Sequence, residues 1–169
     1  KVAGPQVGIE QEIIKKSCEI IGYGKNSNGT FPTGGSMSNY MALVMARDLK
    51  DPKSKYDGMS KPMVIYTSEA SHYSIEKNAS FCGIGRNNIR YIKADSKGRM
   101  ISQELEKRIK ADITEGYIPT FINATAGTTV LGAFDPINEI ANISNKYNIW
   151  LHVDGAYSGG DIFSNNYKH

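Results

Sequence analysis

The sequence predicts an α/β fold in which a mostly parallel sheet carries helices on both faces. Two observations lead to this class: short apolar runs typical of buried strands recur along the chain, and segments of helical periodicity separate them. Strands that alternate with helices are joined by crossover connections, which favour parallel pairing. No break in this alternation marks a second domain, and 169 residues correspond to one domain at roughly 150 residues per domain.

The first two predicted elements are helices. Apolar residues at helical spacing predict an amphipathic helix over 7–21, which Gly22 and Gly24 end. A polar loop over 25–34 follows, and then a second helix over 36–49, rich in methionine and alanine.

Strands and helices alternate from residue 63 onward. Short apolar runs predict strands over 63–67, 88–92, 118–123 and 150–153. Helices are predicted between them over 71–81, 102–115 and 136–147.

Composition places the chain among ordinary globular proteins. Hydrophobic residues make up 40% and charged residues 22%, which argues against disorder. The net charge of +3 is too small to indicate a nucleic-acid or membrane partner, and no apolar run approaches the ~20 residues of a membrane helix. Cys18 and Cys82 are too few for a disulfide framework and lie in no metal-binding pattern, so we expect buried free thiols and no metal site.

The candidate site lies at the carboxyl edge of the predicted sheet, where ligands of open parallel sheets bind. Polar and small residues at that edge follow the predicted strands or begin the second helix: Gly34, Gly35, Ser36, Ser68, Glu69, Ser71, His72, Asn123, Thr125, Gly127, Thr128, Thr129, Asp154, Gly155, Ala156 and Tyr157. This edge therefore combines a histidine, an aspartate, several hydroxyls and a glycine-rich helix start.

The segment Thr-Gly-Gly-Ser over 33–36 precedes the second helix and is a candidate anion site. Exposed N–H groups and the positive end of the helix dipole favour a phosphate, and glycines let it approach the backbone closely. The segment is neither a Walker A loop nor a dinucleotide GxGxxG loop. An ordinary helix start explains the same residues, because glycine and serine are common there.

Asp154, His152 and His72 are the candidate titratable residues. Asp154 directly follows an apolar strand, so its desolvated carboxylate needs a partner: a helix N-terminus, an internal hydrogen bond or a protonated ring nitrogen. His152 faces the same side of that strand, and we favour a hydrogen-bonded core histidine. His72 lies at a strand-to-helix turn, where a lone histidine is more often structural; Asp154 and the Gly-Gly-Ser segment together favour a ligand role.

Five segments of the chain, taken in order, carry a resemblance to a known family. They are Thr-Gly-Gly-Ser-Met-Ser-Asn over 33–39, Thr-Ser-Glu-Ala-Ser-His-Tyr-Ser over 67–74, Asn-Ala-Thr-Ala-Gly-Thr-Thr over 123–129, Gly-Ala-Phe-Asp-Pro over 132–136 and Trp-Leu-His-Val-Asp over 150–154. The series resembles the group II pyridoxal-phosphate-dependent amino-acid decarboxylases and looks closest to the glutamate and cysteine-sulfinate decarboxylases. The resemblance covers essentially the whole chain and implies that 1–169 is part of the large domain of a fold-type I enzyme.

The resemblance implies pyridoxal 5′-phosphate as the cofactor and assigns residues to it. Gly35 and Ser36 would bind the phosphate at the helix N-terminus. His72 would stack on the pyridine ring, and Ala156 would contact the ring from the other side. Asp154 would pair with the pyridine nitrogen.

The resemblance also implies a reaction and a catalytic set. Thr129 would bind near the reactive end of the cofactor, with Thr125 as a weaker candidate, so His72, Asp154 and Thr129 are the expected catalytic residues. The reaction breaks the bond between Cα and the carboxylate of an amino acid and releases the amine and CO₂, with the ring as electron sink.

The chain departs from the family pattern at two places. The family's Schiff-base lysine follows a histidine well beyond the ring-pairing aspartate; Lys168 is not that lysine, because it precedes His169 and follows Asp154 too soon. Gly155 stands where alanine is usual. We therefore expect a fragment that lacks the Schiff-base lysine and the C-terminal small domain and that is inactive by itself.

The expected substrate is an acidic amino acid, with glutamate first and cysteine sulfinate or aspartate next. The alternatives are a non-catalytic homologue that binds the cofactor and another fold-type I lyase, against which the 123–129 segment argues. The resemblance further implies a homodimer. We also expect a cytoplasmic location and, from the small net charge, no nucleic-acid or membrane partner.

Overall fold

The structure is a computed structural model that describes residues 4–167. The chain divides into two compact units: one comprises the residues up to Gly34 together with those from Gly160 onward, and the other comprises Gly35–Gly159. Lys168, which we do not expect to be the Schiff-base lysine, lies outside the described residues. Within 4–167, no helix has both the length and the apolar character needed to cross a membrane.

Helix α1, Gly4–Ile21, is the main element of the first unit and begins before the predicted residue 7. It ends as predicted at Gly22, whose φ of +86° is a conformation that glycine adopts without strain. The N–H groups of Gly22 and Tyr23 donate to the carbonyl of Cys18 at 3.1 and 2.9 Å, which closes the last turn. None of the described residues of α1 is buried.

The second unit contains the predicted alternation of strands and helices. Its strands are β1 Met63–Ser68, β2 Ile89–Ile92, β3 Ile118–Thr125 and β4 Trp150–Asp154. Its α-helices are α2 Gly35–Lys50, α3 Ser54–Asp57, α4 Ser74–Phe81, α5 Ser102–Thr114 and α6 Ile137–Tyr147, and a 3₁₀ helix spans Arg86–Asn88. A further 3₁₀ helix, Gly159–Phe163, begins at the last residue of this unit. The strands pair in the order β2-β1-β3-β4 and every pair is parallel, which confirms the predicted class.

Helices cover both faces of the sheet, because successive side chains of a strand point to opposite faces. On one face, Ile65 and Phe121 pack with apolar residues of α2 and α4. On the other face, Val64, Tyr66 and Ile122 pack with apolar residues of α5 and α6. All five of these sheet side chains are fully buried, so a separate apolar core forms on each face.

Two helices of the second unit, α3 and α4, differ from the prediction. Residues 54–57, for which the sequence predicts no helix, form the single turn of α3. Helix α4 begins at Ser74 and not at residue 71, because the N–H of Ser74 donates to the His72 ring at 3.2 Å. A turn precedes it, closed by the N–H of Ser71 and the carbonyl of Ser68 at 3.0 Å.

Both cysteines are free thiols. Cys82 is buried, as predicted, just past the end of α4, and burial raises the pKa of its thiol. Cys18 in α1 is half-buried and not fully buried as predicted.

A buried carboxylate stabilises the face of the sheet that α5 covers. Asp112 accepts hydrogen bonds from the Tyr66 hydroxyl at 3.0 Å, from Arg90 Nε at 2.8 Å and from Arg108 Nη2 at 2.6 Å. Burial acts to raise the pKa of Asp112, but the hydrogen bonds from Arg108, Arg90 and Tyr66 outweigh burial and hold the pKa below its ordinary value. Asp112 is therefore ionised at neutral pH.

We expect Asp112→Asn to lower the free energy of unfolding of the full-length protein by about 3 kcal/mol at neutral pH, because it leaves two arginines without their buried partner. The native pKa of Asp112 is lowered, so its contribution is present above the ordinary pKa of 3.8 and is lost as the pH falls through the native value. Urea denaturation measures the effect, with Asp57→Asn at an exposed position as the matched control. If Asp112→Asn and Asp57→Asn lower the free energy of unfolding equally, Asp112 does not have the stabilising role described above.

Candidate functional site

A cleft of about 340 Å³ lies at the carboxyl edge of the sheet, within the range of roughly 300–1,000 Å³ typical of small-molecule sites. Its lining residues are Gly35, Ser36, Asn39, His72, Thr125, Gly127, Thr129, Asp154, Ala156 and Tyr157. The structure thus brings together all six residues predicted to bind the cofactor, and Thr125 with them. It adds Asn39, to which sequence reasoning gave no role.

The N-terminus of α2 forms one wall of the cleft through Gly35 and Ser36. A Cβ atom added to Gly35 would lie 3.2 Å from the Cβ of Ala156, which is tighter than most such contacts, so glycine keeps this wall open. The side-chain amide of Asn78 in α4 donates to the carbonyl of Ser36 at 2.8 Å and fixes the first turn of α2. The Ser36 side chain itself is exposed.

Asp154 ends β4 and is only 8% exposed. Its Oδ2 accepts a hydrogen bond from Asn39 Nδ2 at 2.9 Å, and its Oδ1 accepts one from the N–H of Ala156 at 3.1 Å. Within the part of the chain that the structure describes, no Lys or Arg side chain forms an ion pair with it. A buried carboxylate that only neutral groups hold favours a cationic partner in the cleft.

His152 forms a hydrogen bond, as the interpretation favoured from the sequence expects, but it is half-buried and not a core residue. Its Nε2 lies 2.8 Å from Asn39 Oδ1, and its ring stacks on Phe121 with ring centroids 5.6 Å apart. Burial lowers the pKa of His152 and outweighs the opposing effect of the Asp154 carboxylate. His152 is therefore neutral at neutral pH and does not compensate the charge of Asp154.

His72 lies in the turn between β1 and α4, where Ser74 fixes its ring. Its Nδ1 accepts a hydrogen bond from the N–H of Ser74 at 3.2 Å and lies 2.9 Å from Ser74 Oγ. Because Nδ1 is an acceptor, the proton of the neutral ring resides on Nε2. The ring of His72 also contacts the ring of Tyr73, with centroids 4.2 Å apart.

Thr125 ends β3, and Thr129 lies in the segment that follows it; both line the cleft. Thr125 is buried at the end of β3, and its N–H donates to Asp135 Oδ2 at 2.8 Å, while Asp135 Oδ1 accepts from the N–H of Met100 at 2.6 Å. Burial raises the pKa of Asp135 despite these two hydrogen bonds. Thr129 is exposed, so its hydroxyl is accessible to a ligand.

Asn39, Ser74 and Asn78 are the site residues that sequence reasoning missed. Each is buried and forms a hydrogen bond that reaches a predicted site residue. A signal for Asn39 was present, because it is a polar residue in the otherwise apolar stripe of α2 that is completed by Ala42, Leu43 and Ala46.

The chain is an α/β domain whose cleft combines a helix N-terminus, which suits a phosphate group, with an uncompensated carboxylate, which suits a cationic group. Comparison with known proteins gives the family. The pyridoxal-dependent decarboxylase conserved domain matches residues 4–169, so the chain belongs to the pyridoxal-dependent decarboxylases. This match confirms the family resemblance found in the sequence, and it confirms pyridoxal phosphate as the cofactor.

Individual relatives are similar over nearly all of this chain. It is 44% identical, over 94% of its length, to the acidic amino acid decarboxylase of Xenopus tropicalis, of which it covers 31%. It is 40% identical, over 100% of its length, to the cysteine sulfinic acid decarboxylase of Rattus norvegicus, of which it covers 34%. The crystal structure of mouse CSAD in apo form matches with a TM-score of 0.94 and 41% identity, over 96% of this chain and 35% of that one. The chain therefore spans about a third of the length of these relatives.

We expect Gly35→Ala to weaken binding of pyridoxal phosphate to the full-length protein by about tenfold, since overpacking costs on the order of 1–3 kcal/mol. The added Cβ would meet Ala156 and narrow the wall of the cleft. Fluorescence titration of the apoprotein measures the affinity. The matched control is Gly24→Ala, where an added Cβ has no neighbour within 4 Å. Unchanged affinity in Gly35→Ala would show that the ligand does not approach this wall.

Proposed function

We propose that the full-length protein containing this chain uses pyridoxal phosphate to remove the α-carboxylate of an acidic amino acid as CO₂. The observation that carries the proposal is the buried carboxylate of Asp154, which lines the cleft and is held only by neutral donors. Burying an ion without a partner is unfavourable, and a protonated ring nitrogen supplies the partner. In this proposal residues 1–169 form part of the cofactor-binding large domain.

The residues of the cleft fit the cofactor at its phosphate end. Gly35 and Ser36 begin a helix of 16 residues, and the free N–H groups and dipole of such a helix start favour a phosphate group. The exposed hydroxyl of Ser36 adds a donor. The Asn78 amide keeps this first turn in place through the carbonyl of Ser36, so the N–H groups are oriented before the ligand arrives.

The carboxylate of Asp154 fits the ring end of the cofactor. When bound, pyridoxal phosphate supplies the sink for the electron pair that the departing carboxylate leaves at Cα. Asp154 would hold a proton on the ring nitrogen, because an adjacent anion favours the protonated form of a base. The hydrogen bonds from Asn39 and from the backbone of Ala156 fix the direction in which the carboxylate presents its charge.

His72, Ala156 and Thr129 complete the proposed set. His72, with its ring fixed by Ser74, would stack on the ring of the cofactor, and Ala156 would contact the ring with its methyl group. The accessible hydroxyl of Thr129 would donate to or accept from the reactive end.

The proposed substrate class follows from relatives whose names specify acidic substrates. The 44% identical relative is an acidic amino acid decarboxylase, and the 40% identical relative is a cysteine sulfinic acid decarboxylase. Glutamate, cysteine sulfinate and aspartate are therefore the substrates to assay. A homodimer and a cytoplasmic location stay predictions of the family resemblance.

We expect Asp154→Ala and Asp154→Asn to lower kcat/KM of the full-length enzyme by about a hundredfold or more, as for the loss of one member of a buried charge pair. CO₂ release from L-glutamate, L-cysteine sulfinate and L-aspartate measures the effect. Asp57→Asn removes a carboxylate at an exposed position and should leave the rate unchanged. Full activity in either Asp154 variant would refute the role of this carboxylate.

A further inference from the structure

Both polar atoms of the Asn39 side-chain amide, Nδ2 and Oδ1, form hydrogen bonds beside the cleft. Its Nδ2 donates to Asp154 Oδ2 at 2.9 Å and to Ser74 Oγ at 3.0 Å. Its Oδ1 lies 2.8 Å from His152 Nε2. The residue is 2% exposed, so water does not replace these bonds. Asn39 therefore links α2 to β4 and to α4 at a single point.

The charge of Asp154 fixes the orientation of this amide. Turning the amide over would place Oδ1 against the carboxylate, and two acceptors would then face each other without a proton between them. With Nδ2 on Asp154, Oδ1 faces His152, and Nε2 of His152 must carry the proton that bonds to it. The neutral state of His152 allows this tautomer.

Ser74 extends the same network to His72. Its hydroxyl oxygen accepts the hydrogen bond from Asn39, so its own proton is free to donate to His72 Nδ1 at 2.9 Å. The backbone N–H of Ser74 donates to the same nitrogen at 3.2 Å. Two donors aimed at Nδ1 keep the proton of the ring on Nε2 and fix the plane of the ring.

We propose that Asn39 is a positioning residue of the cofactor site, whose amide orients the ring-pairing carboxylate of Asp154 directly and the stacking ring of His72 through Ser74. The inference rests on the proposed function, because it takes the roles of Asp154 and His72 from there. Asn39 itself bonds to no reacting atom. Its effect on the cofactor passes through two branches, one to Asp154 and one to Ser74 and His72.

The two branches are separated by two probes that differ at one atom. Pyridoxal phosphate has a ring nitrogen for Asp154, and its 1-deaza analogue has a C–H group at that position and the same phosphate and ring face. The ratio of the Kd of the analogue to the Kd of pyridoxal phosphate therefore reports the Asp154 branch alone. Both constants are measured by fluorescence titration of the full-length apoprotein, without turnover.

In the unaltered protein we expect the analogue to bind about tenfold or more weakly, the size of a hydrogen bond to a charged group. Asn39→Ala should raise the Kd of pyridoxal phosphate and reduce this ratio at least about threefold, toward the ratio of Asp154→Ala. Ser74→Ala should raise both dissociation constants and leave the ratio unchanged, because its branch ends at His72. Asn142→Ala, at an exposed asparagine of α6, is the matched control and should change neither constant.

Thermal unfolding of each apoprotein identifies a variant that does not fold. If Asn39→Ala is such a variant, Asn39→Leu replaces it, because it keeps the approximate size of the side chain while it removes both donors and adds no charge beside Asp154. A general loss of packing would weaken both probes equally, so an unchanged ratio in a folded Asn39 variant overturns the proposal. If Asp154→Ala also leaves the ratio unchanged, the ring-pairing role of Asp154 in the proposed function is wrong as well. If Asp154→Ala reduces the ratio and the folded Asn39 variant does not, only the positioning role of Asn39 is wrong.

Discussion

The hydrogen bond between Asn39 and Asp154 is the contact on which the candidate site depends. It joins α2 to the end of β4 across 115 positions of the chain and supplies one of the two donors that hold a buried carboxylate. Neutral donors fix the direction of the carboxylate without neutralising its charge. The cleft is therefore lined both by a fixed negative charge and by the positive end of the α2 dipole. A ligand that carries both a phosphate and a cationic ring matches these two features.

The contact between α2 and α4 has a polar part near the cleft and an apolar part beyond it. Near the cleft, Asn39 donates to Ser74 and Asn78 donates to the carbonyl of Ser36. Beyond it, the two helices bury apolar side chains between them: Ala42, Leu43, Ala46, Ile75 and Ala79. The apolar part supplies non-directional attraction, whereas the hydrogen bonds set the register of the two helices. The geometry of the phosphate and ring ends of the cleft is thus determined by the same helix pair.

Much of the fold and part of the site could be predicted from local sequence pattern. Buried strands such as β1 are continuous apolar runs, and their order along the chain places His72, Thr125 and Asp154 at one edge of a parallel sheet. The same pattern also puts Gly35, Ser36, Thr129 and Ala156 at this edge, and the family resemblance gives each of them a role; the structure places all four in the cleft.

The contacts made by Asn39, Ser74 and Asn78 could not be predicted in this way. Each joins residues that are distant in the chain, as with Asn39 and Ser74 at a separation of 35 positions, and the partners are known only when the packing of α2 on α4 is known. The start of α4 was missed for a related reason. The N–H of Ser74 bonds to the ring of His72, and helical propensity carries no information about that bond.

In the proposed function, the carboxylate of Asp154 keeps the ring nitrogen of the cofactor protonated. The most direct test is the ¹⁵N chemical shift of pyridoxal phosphate labelled at the ring nitrogen and bound to the full-length protein, recorded at neutral and mildly alkaline pH. We expect the shift of a protonated nitrogen throughout this range in the unaltered protein, and its loss in Asp154→Ala. The shift of an unprotonated nitrogen at neutral pH in the unaltered protein would contradict this role of Asp154.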